Sequence, residues 1–290
     1  MQSDSTGMQP LPRLRLGLIG GNIRASRSPA LHRAAGRLAG LDTSYDLLIP
    51  DEMGLSFEQV LADCSAAGYR GVNVTYPFKE RVVPLLRICD PLIAALRAVN
   101  TVVFETHGMV GHNTDYSGFI SAYRDRFGAA APGKVVLVGA GGVGRAIAFG
   151  LVKLGAAELR IVDRDMTKAA DLAGALAGLG GAGPAVVIEP DVRAASRSAE
   201  GILNCTPVGM VGSDATPVPD DCLDGVRWAF DAVYTPVETR FKTEAEAAGV
   251  SVLSGYELFF HQGVDAFGIF TGTPLADPRR LRGALLNETG

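Results

Sequence analysis

Apolar runs of strand length alternate with helical patterns along almost the whole chain. Leu14 to Gly20 (LRLGLIG) reads as a strand. SPALHRAAGRLAG reads as the helix after it, with Ser28 as its N-cap and Pro29 at the first helical position. TSYDLLIP continues as a strand and SFEQVLADCSAAG as a helix. In GVNVTYPFK, Val72 and Val74 share one face of a strand and Asn73 and Thr75 the other, Pro77 ends the strand, and Lys79 opens a helix. AVNTVVFE is a further strand that ends near a turn at His107-Gly108.

A second series begins at Lys134. KVVLVGAGGVGRAIAFGLVKLG is strand, glycine turn and helix; ELRIVD is a strand and MTKAADLAGALAGLG a helix. GILNCTP and VRWAFDAVY read as later strands of the same sheet, and ELFFHQGVDAFGIFTG as a strongly apolar helix. This alternation predicts an α/β architecture of parallel sheets covered on both faces. GAAAPGK reads as the loop into a second domain, and GLGGAGP as a loop before a strand.

Composition narrows the class. A chain of 290 residues, 47% of them hydrophobic, is long enough for two cores. Lys and Arg total 27 against 31 Asp and Glu, and no basic stripe is present, so no nucleic-acid partner is expected. MQSDSTGMQPLPRL has no signal-type apolar run and reads as a frayed tail. No window is apolar enough to span a membrane, so no membrane partner is expected. Cys64, Cys89, Cys205 and Cys222, with His32, His107, His112 and His261, match no metal or redox spacing. Reduced thiols, a cytoplasmic location and no bound metal are expected, in a monomer or homodimer.

VVLVGAGGVGRA carries a dinucleotide fingerprint: a strand runs into Gly139, Ala140, Gly141, Gly142, Val143 and Gly144, and a helix follows. Gly139 serves the tight turn, Gly141 the approach of a pyrophosphate, and Gly144 the packing of helix on strand. Asp163 ends the next strand, 24 positions after Gly139. A carboxylate there accepts hydrogen bonds from a ribose 2′-hydroxyl and repels a 2′-phosphate. Asp165 adds charge of the same sign, while Arg164 between them suits a phosphate, so NAD is expected and NADP is possible. The plainer alternative is that Asp163 only caps the following helix.

Polar residues also gather where strands end: Ser26 and Ser28; Asn73, Thr75 and Lys79; Asn100 and Thr101; Asp115; Tyr234; and Gln262. Singly, each has a plain reading: Ser28 as a cap, Lys79 as a solvated amine, Asp115 as the cap of YSGFISAYRD. Jointly they predict a pocket, because open α/β sheets bind ligands beyond strand ends. Arg27 lies between the serines; on an extended segment it faces away from them and stays outside the site.

In wording and order, SRSPALH, GVNVTYPFK, AVNT, GHNTDYSGF, VGAGGVGRA, NCTPVGM, DAVYTP and GYELFFHQGVDAF resemble the shikimate dehydrogenase family, including its quinate/shikimate branch. The resemblance implies a substrate domain of residues 1–115 plus 255–290 and a Rossmann-like domain at 116–254. It implies Lys79 and Asp115 as the catalytic pair. Ser26 and Ser28, helped by Tyr234, would take a substrate carboxylate; Thr75, Asn100 and Gln262 would take ring hydroxyls and the reacting oxygen, with Asn73 close by. Gly139 to Gly144, Asp163, Arg164, Thr206 and Gly255 would hold the cofactor. The substrate would be a small hydroxylated cyclohexane or cyclohexene carboxylate. Asp163-Arg164-Asp165 departs from the Asn-Arg-Thr turn usual in NADP-using members, and Ala25 and Tyr116 stand where His and Gly are common.

The implied reaction is reversible NAD(P)-dependent oxidation of shikimate to 3-dehydroshikimate and of quinate to 3-dehydroquinate. The protein's task is the hydroxyl proton. Burial favours a neutral amine at Lys79 and a neighbouring carboxylate favours a charged one. Lys79 therefore either exchanges the proton or stays charged and orients the oxygen, with the proton leaving through Asp115 or water. An amino analogue of either acid is an alternative substrate. Outside that chemistry stand a non-catalytic dinucleotide sensor and a folate-type dehydrogenase, the latter disfavoured by NVTYPFK and NTD.

Overall fold

The computed structural model describes residues 11–180, 183–213 and 215–287. Most of the expected tail, residues 1–10, lies outside the described residues. The first sheet is built from β1 (Arg13–Ile19), β2 (Asp42–Leu48), β3 (Gly71–Val74), β4 (Thr101–Glu105) and β5 (Gly108–His112), in the order β2-β1-β3-β4-β5. The expected parallel pairing holds for β2, β1 and β3. At the other edge β4 and β5 run antiparallel, as a hairpin closed through Thr106 and His107. Its return strand, GMVGH, was not anticipated: it is short and glycine-rich, and only Val110 and Gly111 are buried.

Helices α1 (Ser28–Leu38), α2 (Pro50–Met53), α3 (Phe57–Ala66) and α4 (Pro91–Leu96) fill the connections of this half. Ser28 is not the cap of α1. Arg27 takes the N-cap position without a side-chain bond, and Ser28 is the first helical residue, its hydroxyl not used on the helix start. Lys79 does not open a helix either. After Pro77 the chain makes consecutive turns into a short 3-10 helix at Val83–Leu85, because Pro84 has no N–H to continue an α-helical ladder.

The second sheet has the order β11-β10-β9-β6-β7-β8 and is wholly parallel. Its strands are β6 (Lys134–Val138), β7 (Glu158–Val162), β8 (Ala185–Ile188), β9 (Gly201–Asn204), β10 (Trp228–Asp231) and β11 (Ser251–Ser254). Around it lie α5 (Thr114–Phe127), α6 (Gly142–Lys153), α7 (Met166–Ala177), α8 (Val192–Ser196), α9 (Arg240–Ala247), α10 (Gly255–Thr271) and, after it, α11 (Pro278–Asn287). The central strands are buried on both faces, which explains their apolar runs (VVLV, GIL, WAF), with Asn204 and Asp231 buried only at the strand ends. Because β6 pairs with β7 on one side and β9 on the other, the chain reverses direction across the sheet at β6, which is where doubly wound sheets open a crevice.

The two sheets are joined through α5 and α10. Helix α10 is apolar nearly all round because it is enclosed: Gly263 faces Leu31 of α1, and Phe270 lies over Gly71 of β3. Gly118 of α5 lets the helices touch; a β-carbon there would stand 2.6 Å from the backbone nitrogen of Gln262. On its other side α5 packs Phe119 edge-on against Phe230 of β10, with ring centres 5.3 Å apart. No helix among the described residues is long and apolar enough to cross a membrane.

Candidate active site

The hairpin explains how the polar residues of the first half meet. Parallel β1 and β3 both end at one edge of the sheet, which delivers the segments after Ile19 and after Val74. Antiparallel β4 starts there, Thr101 pairing with Asn73, and β5 finishes there, His112 pairing with Thr101. Residues 20–28, 75–79, 100–101 and 113–115 therefore come from four strand ends at one edge.

Lys79 and Asp115 meet at the centre of this edge. Lys79 Nζ donates to Asp115 Oδ2 at 2.6 Å, with the side chains 12% and 7% exposed. Asp115 is free for this because Asn113, not Asp115, caps α5: Asn113 Oδ1 accepts from Tyr116 N at 3.0 Å. The backbone of Lys79 is pinned by Val99 N, which donates to Lys79 O at 2.8 Å. Beside it, Phe78 is buried in a stack on Phe57 with centres 4.5 Å apart. A largely enclosed Lys79 nitrogen with one N–H on the carboxylate keeps its other positions for a ligand oxygen.

A second layer supports the pair. Asn100 Oδ1 accepts from Thr114 N at 2.7 Å, and its Nδ2 donates to Thr114 Oγ1 at 3.0 Å, leaving one amide hydrogen uncommitted. Gln262 reaches the same threonine: Thr114 Oγ1 donates to Gln262 Oε1 at 3.4 Å, and Gln262 Nε2 donates to Phe259 O at 3.1 Å. Asn73 departs from the expectation that it faces a ligand. Its amide donates to Asn100 O at 3.2 Å and Thr101 Oγ1 at 3.0 Å, and its Oδ1 accepts from Tyr45 Oη at 2.9 Å. Both of its N–H groups are spent inside the protein, so Asn73 positions its neighbours. Tyr45, Thr101 and Thr114 belong to this network. The only sequence signal for Tyr45 was a buried-face position in a strand two places from Asn73 in the sheet. Beneath it, burial pushes His32 down to about 3, so the imidazole that stacks on Tyr45 at 4.6 Å is neutral.

Ser26 Oγ donates to Ser28 Oγ at 3.1 Å and accepts from Ser28 N at 3.2 Å, so the two hydroxyls face one point. Tyr234 stacks on Phe259 with centres 5.1 Å apart. Burial raises its phenol, as does the charge of Asp115, while Arg27 lowers it. Thr75 is half-buried at the edge, its N–H donating to Ile19 O at 3.0 Å.

The glycine turn faces this edge from the other half. Gly139 has φ +102°, which a side chain would strain, and a β-carbon on Gly144 would collide with the Gly139 carbonyl. Gly141 opens onto free space and caps α6 without any side chain, so the first N–H groups of α6, at Gly142 and Val143, point out unblocked. A β-carbon on Gly142 would stand 3.3 Å from Lys79 Cβ, which places the turn directly against Lys79 and its partner Asp115. Asp163 is not a helix cap: Asp165 caps α7, accepting from Thr167 N at 3.0 Å. Asp163 instead accepts from Ala140 N at 2.6 Å and Asp165 N at 2.8 Å, which holds its carboxylate at the turn, while Arg164 beside it is exposed. Thr206 Cγ2 packs against Gly139, and Gly255 sits on the carbonyls of Asp231 and Ala232, beyond the ends of β9 and β10. The open turn, the bare helix start and the fixed carboxylate fit a dinucleotide with an unmodified adenosine ribose.

Residues 18–102 match the family model described as shikimate dehydrogenase substrate binding domain, and 134–221 match NADP oxidoreductase coenzyme F420-dependent. A quinate/shikimate dehydrogenase (NAD(+)) of Corynebacterium efficiens is 39% identical over 277 residues, covering 94% of this chain and 97% of that protein. The chain belongs to the shikimate dehydrogenase family. Its structure superimposes on quinate dehydrogenase from Corynebacterium glutamicum in complex with NAD with a TM-score of 0.86, at 37% identity, over 95% of this chain and 99% of that one. Shikimate 5-dehydrogenase from Thermus thermophilus, solved with NADP(H) and shikimate, gives a TM-score of 0.81 at 32% identity over 94% and 99%. As a member of the shikimate dehydrogenase family the chain is an NAD(P)-dependent oxidoreductase with a Rossmann-like half, not a non-catalytic sensor.

Replacing Asn100 by Ala leaves the buried Thr114 N–H without its acceptor. Unfolding free energy is expected to fall by about 1–3 kcal/mol. Urea unfolding followed by the fluorescence of Trp228, the chain's single tryptophan, reads it, and a curve superimposable on the parent's would show that Asn100 supports nothing.

Proposed function

We propose that the protein catalyses the reversible NAD-dependent oxidation of shikimate to 3-dehydroshikimate and of quinate to 3-dehydroquinate. The observation that carries this reading is the buried Lys79–Asp115 pair at 2.6 Å, set against Gly142 of the dinucleotide turn. It joins an acid/base pair to a hydride acceptor's seat. NAD bound there supplies the hydride acceptor. Gly139, Ala140, Gly141, Gly142, Val143, Gly144, Asp163, Arg164, Thr206 and Gly255 are the residues assigned to it.

On the substrate side, the Lys79 amine accepts the hydroxyl proton as hydride leaves the ring carbon, and the N–H bonded to Asp115 passes a proton on toward solvent; in the reverse direction the ammonium returns a proton to the carbonyl oxygen. Thr75, the uncommitted amide hydrogen of Asn100, and Gln262 take ring hydroxyls. Ser26, Ser28 and Tyr234 take the carboxylate. In this reading residues 1–115 and 255–290 form the substrate domain and 116–254 the cofactor domain. Because 116 falls within α5, that helix is the seam between them. The pairing of Asp163 with Ala140 N favours NAD over NADP, since a 2′-phosphate would meet a carboxylate that the backbone holds in place. The free thiols of Cys64, Cys89, Cys205 and Cys222 accord with a cytoplasmic enzyme.

Following NAD reduction spectrophotometrically with shikimate and quinate in parallel tests the assignment: turnover of both is expected, and turnover of neither overturns it. Asp163→Asn keeps an acceptor for a backbone N–H and removes the charge. It is expected to narrow the ratio of kcat/KM for NAD over NADP by roughly tenfold, the scale of one lost charge repulsion; an unchanged ratio would assign Asp163 to turn geometry alone.

A further inference from the structure

We propose that Arg27 is the charged partner of the substrate carboxylate, and hence a residue that selects for anionic ring acids. This inference rests on the reading of the site given above. Alternation along an extended segment would turn Arg27 away from the serines, but residues 24–28 are not extended. Ser26 N donates to Ile23 O at 2.9 Å, Leu31 N donates to Arg27 O at 3.1 Å, and Arg27 has φ −87° and ψ −1°. In that helical backbone successive side chains do not alternate between opposite faces, so the extended-strand rule does not turn Arg27 away.

Its guanidinium lies over the ring of Tyr256, 5.3 Å from the centre. Tyr256 stands in the first turn of α10 and packs against Phe259 at 5.8 Å, and Phe259 in turn carries Tyr234. The charge of Arg27 is felt at the Tyr234 phenol, which also feels Asp115. Tyr45, next to Ser28, feels Tyr234 in turn. Arg27 therefore belongs to the wall that holds Ser28 and Tyr234, the two elements assigned to the carboxylate.

Two groups in this wall lack partners. Arg27 is half-buried, yet among the described residues its guanidinium makes no ion pair and no hydrogen bond, whereas Arg15 and Arg24 meet carboxylates and Arg70 and Arg145 donate to backbone carbonyls. The Tyr256 hydroxyl is buried and also has no partner. A half-desolvated cation and an unspent donor side by side present a cradle for an anion. Two serine hydroxyls are neutral donors and leave a carboxylate's charge uncompensated, whereas a guanidinium matches it in charge and planar shape. With the carboxylate drawn to Arg27 at one end, the ring is held in a single direction, and a hydroxyl at the other end faces Lys79.

The test compares wild type, Arg27→Met and Arg27→Lys on shikimate and on its carboxamide, which keeps the ring and removes the charge. Methionine retains the apolar stem. Arg27→Met is expected to raise KM for the acid about tenfold or more, with kcat within about threefold and KM for NAD unchanged. Arg27→Lys is expected to recover part of the loss. The decisive reading is the acid-to-amide ratio of kcat/KM, which is expected to shrink in Arg27→Met by the factor lost on the acid. An equal ratio in wild type and Arg27→Met, with the wild type active, overturns the role of Arg27 and leaves the active-site reading standing. A wild type inactive on both shikimate and quinate overturns both.

Discussion

The buried contact between Lys79 and Asp115 is the constraint around which the site is arranged. An amine and a carboxyl group drawn out of water stay in contact only where geometry is good and neighbouring polar groups are satisfied. Each requirement is met by a specific device. Asn113 takes over the capping of α5 and releases Asp115, whose position in the first helical turn is favourable for a carboxylate. Val99 holds the backbone of Lys79, and Asn113 Nδ2 donates to Ala98 O at 2.9 Å, so one short segment steadies both partners. That segment is also gripped from the cofactor side: buried Arg145, in the first turns of α6, donates to Leu96 O at 2.8 Å. The helix that begins at the glycine turn and the loop that braces Lys79 and Asp115 thus form one bonded unit.

Topology does the rest. In an all-parallel first sheet every strand would bring only the segment after it to this side. Reversal of β4 brings its beginning there instead, with Asn100 and Thr101, and the return through β5 places Thr114 and Asp115 beside them. In the second sheet, the reversal at β6 opens the crevice where the glycine turn lies. Helices α5 and α10, in contact through Gly118, fix the distance between the two edges and bring Gln262 over the first.

Much of this was legible in the sequence where a residue's local role and its final role coincide. The strand running into Gly139-x-Gly141-x-x-Gly144 reads correctly because the turn, the bare helix start and the close packing are all local properties. Lys79 and Asp115 were found through their place at strand ends, yet both local readings of them failed: Pro84 prevents the expected helix at Lys79, and Asn113 displaces Asp115 as a cap. Ser28 and Asp163 were likewise open to capping roles that Arg27 and Asp165 occupy instead. Asn73 and Tyr45 could not be assigned because a buried amide looks the same in sequence whether it faces a ligand or a tyrosine across the sheet. The alternation that turns Arg27 away from the serines holds only for extended backbone, and the curl at Ile23–Ser26 is set by contacts that the sequence does not display.

The central claim is that Lys79 and Asp115 act as one unit on one proton. Kinetics of Lys79→Met, Asp115→Asn and the double variant on the same substrate test it most directly, with NAD affinity measured alongside. If the pair acts as a unit, each single change lowers kcat by about 100-fold or more, and the double variant is scarcely worse than the poorer single one, with NAD affinity retained. Multiplying losses in the double variant, or near-normal kcat in either single one, would contradict the account.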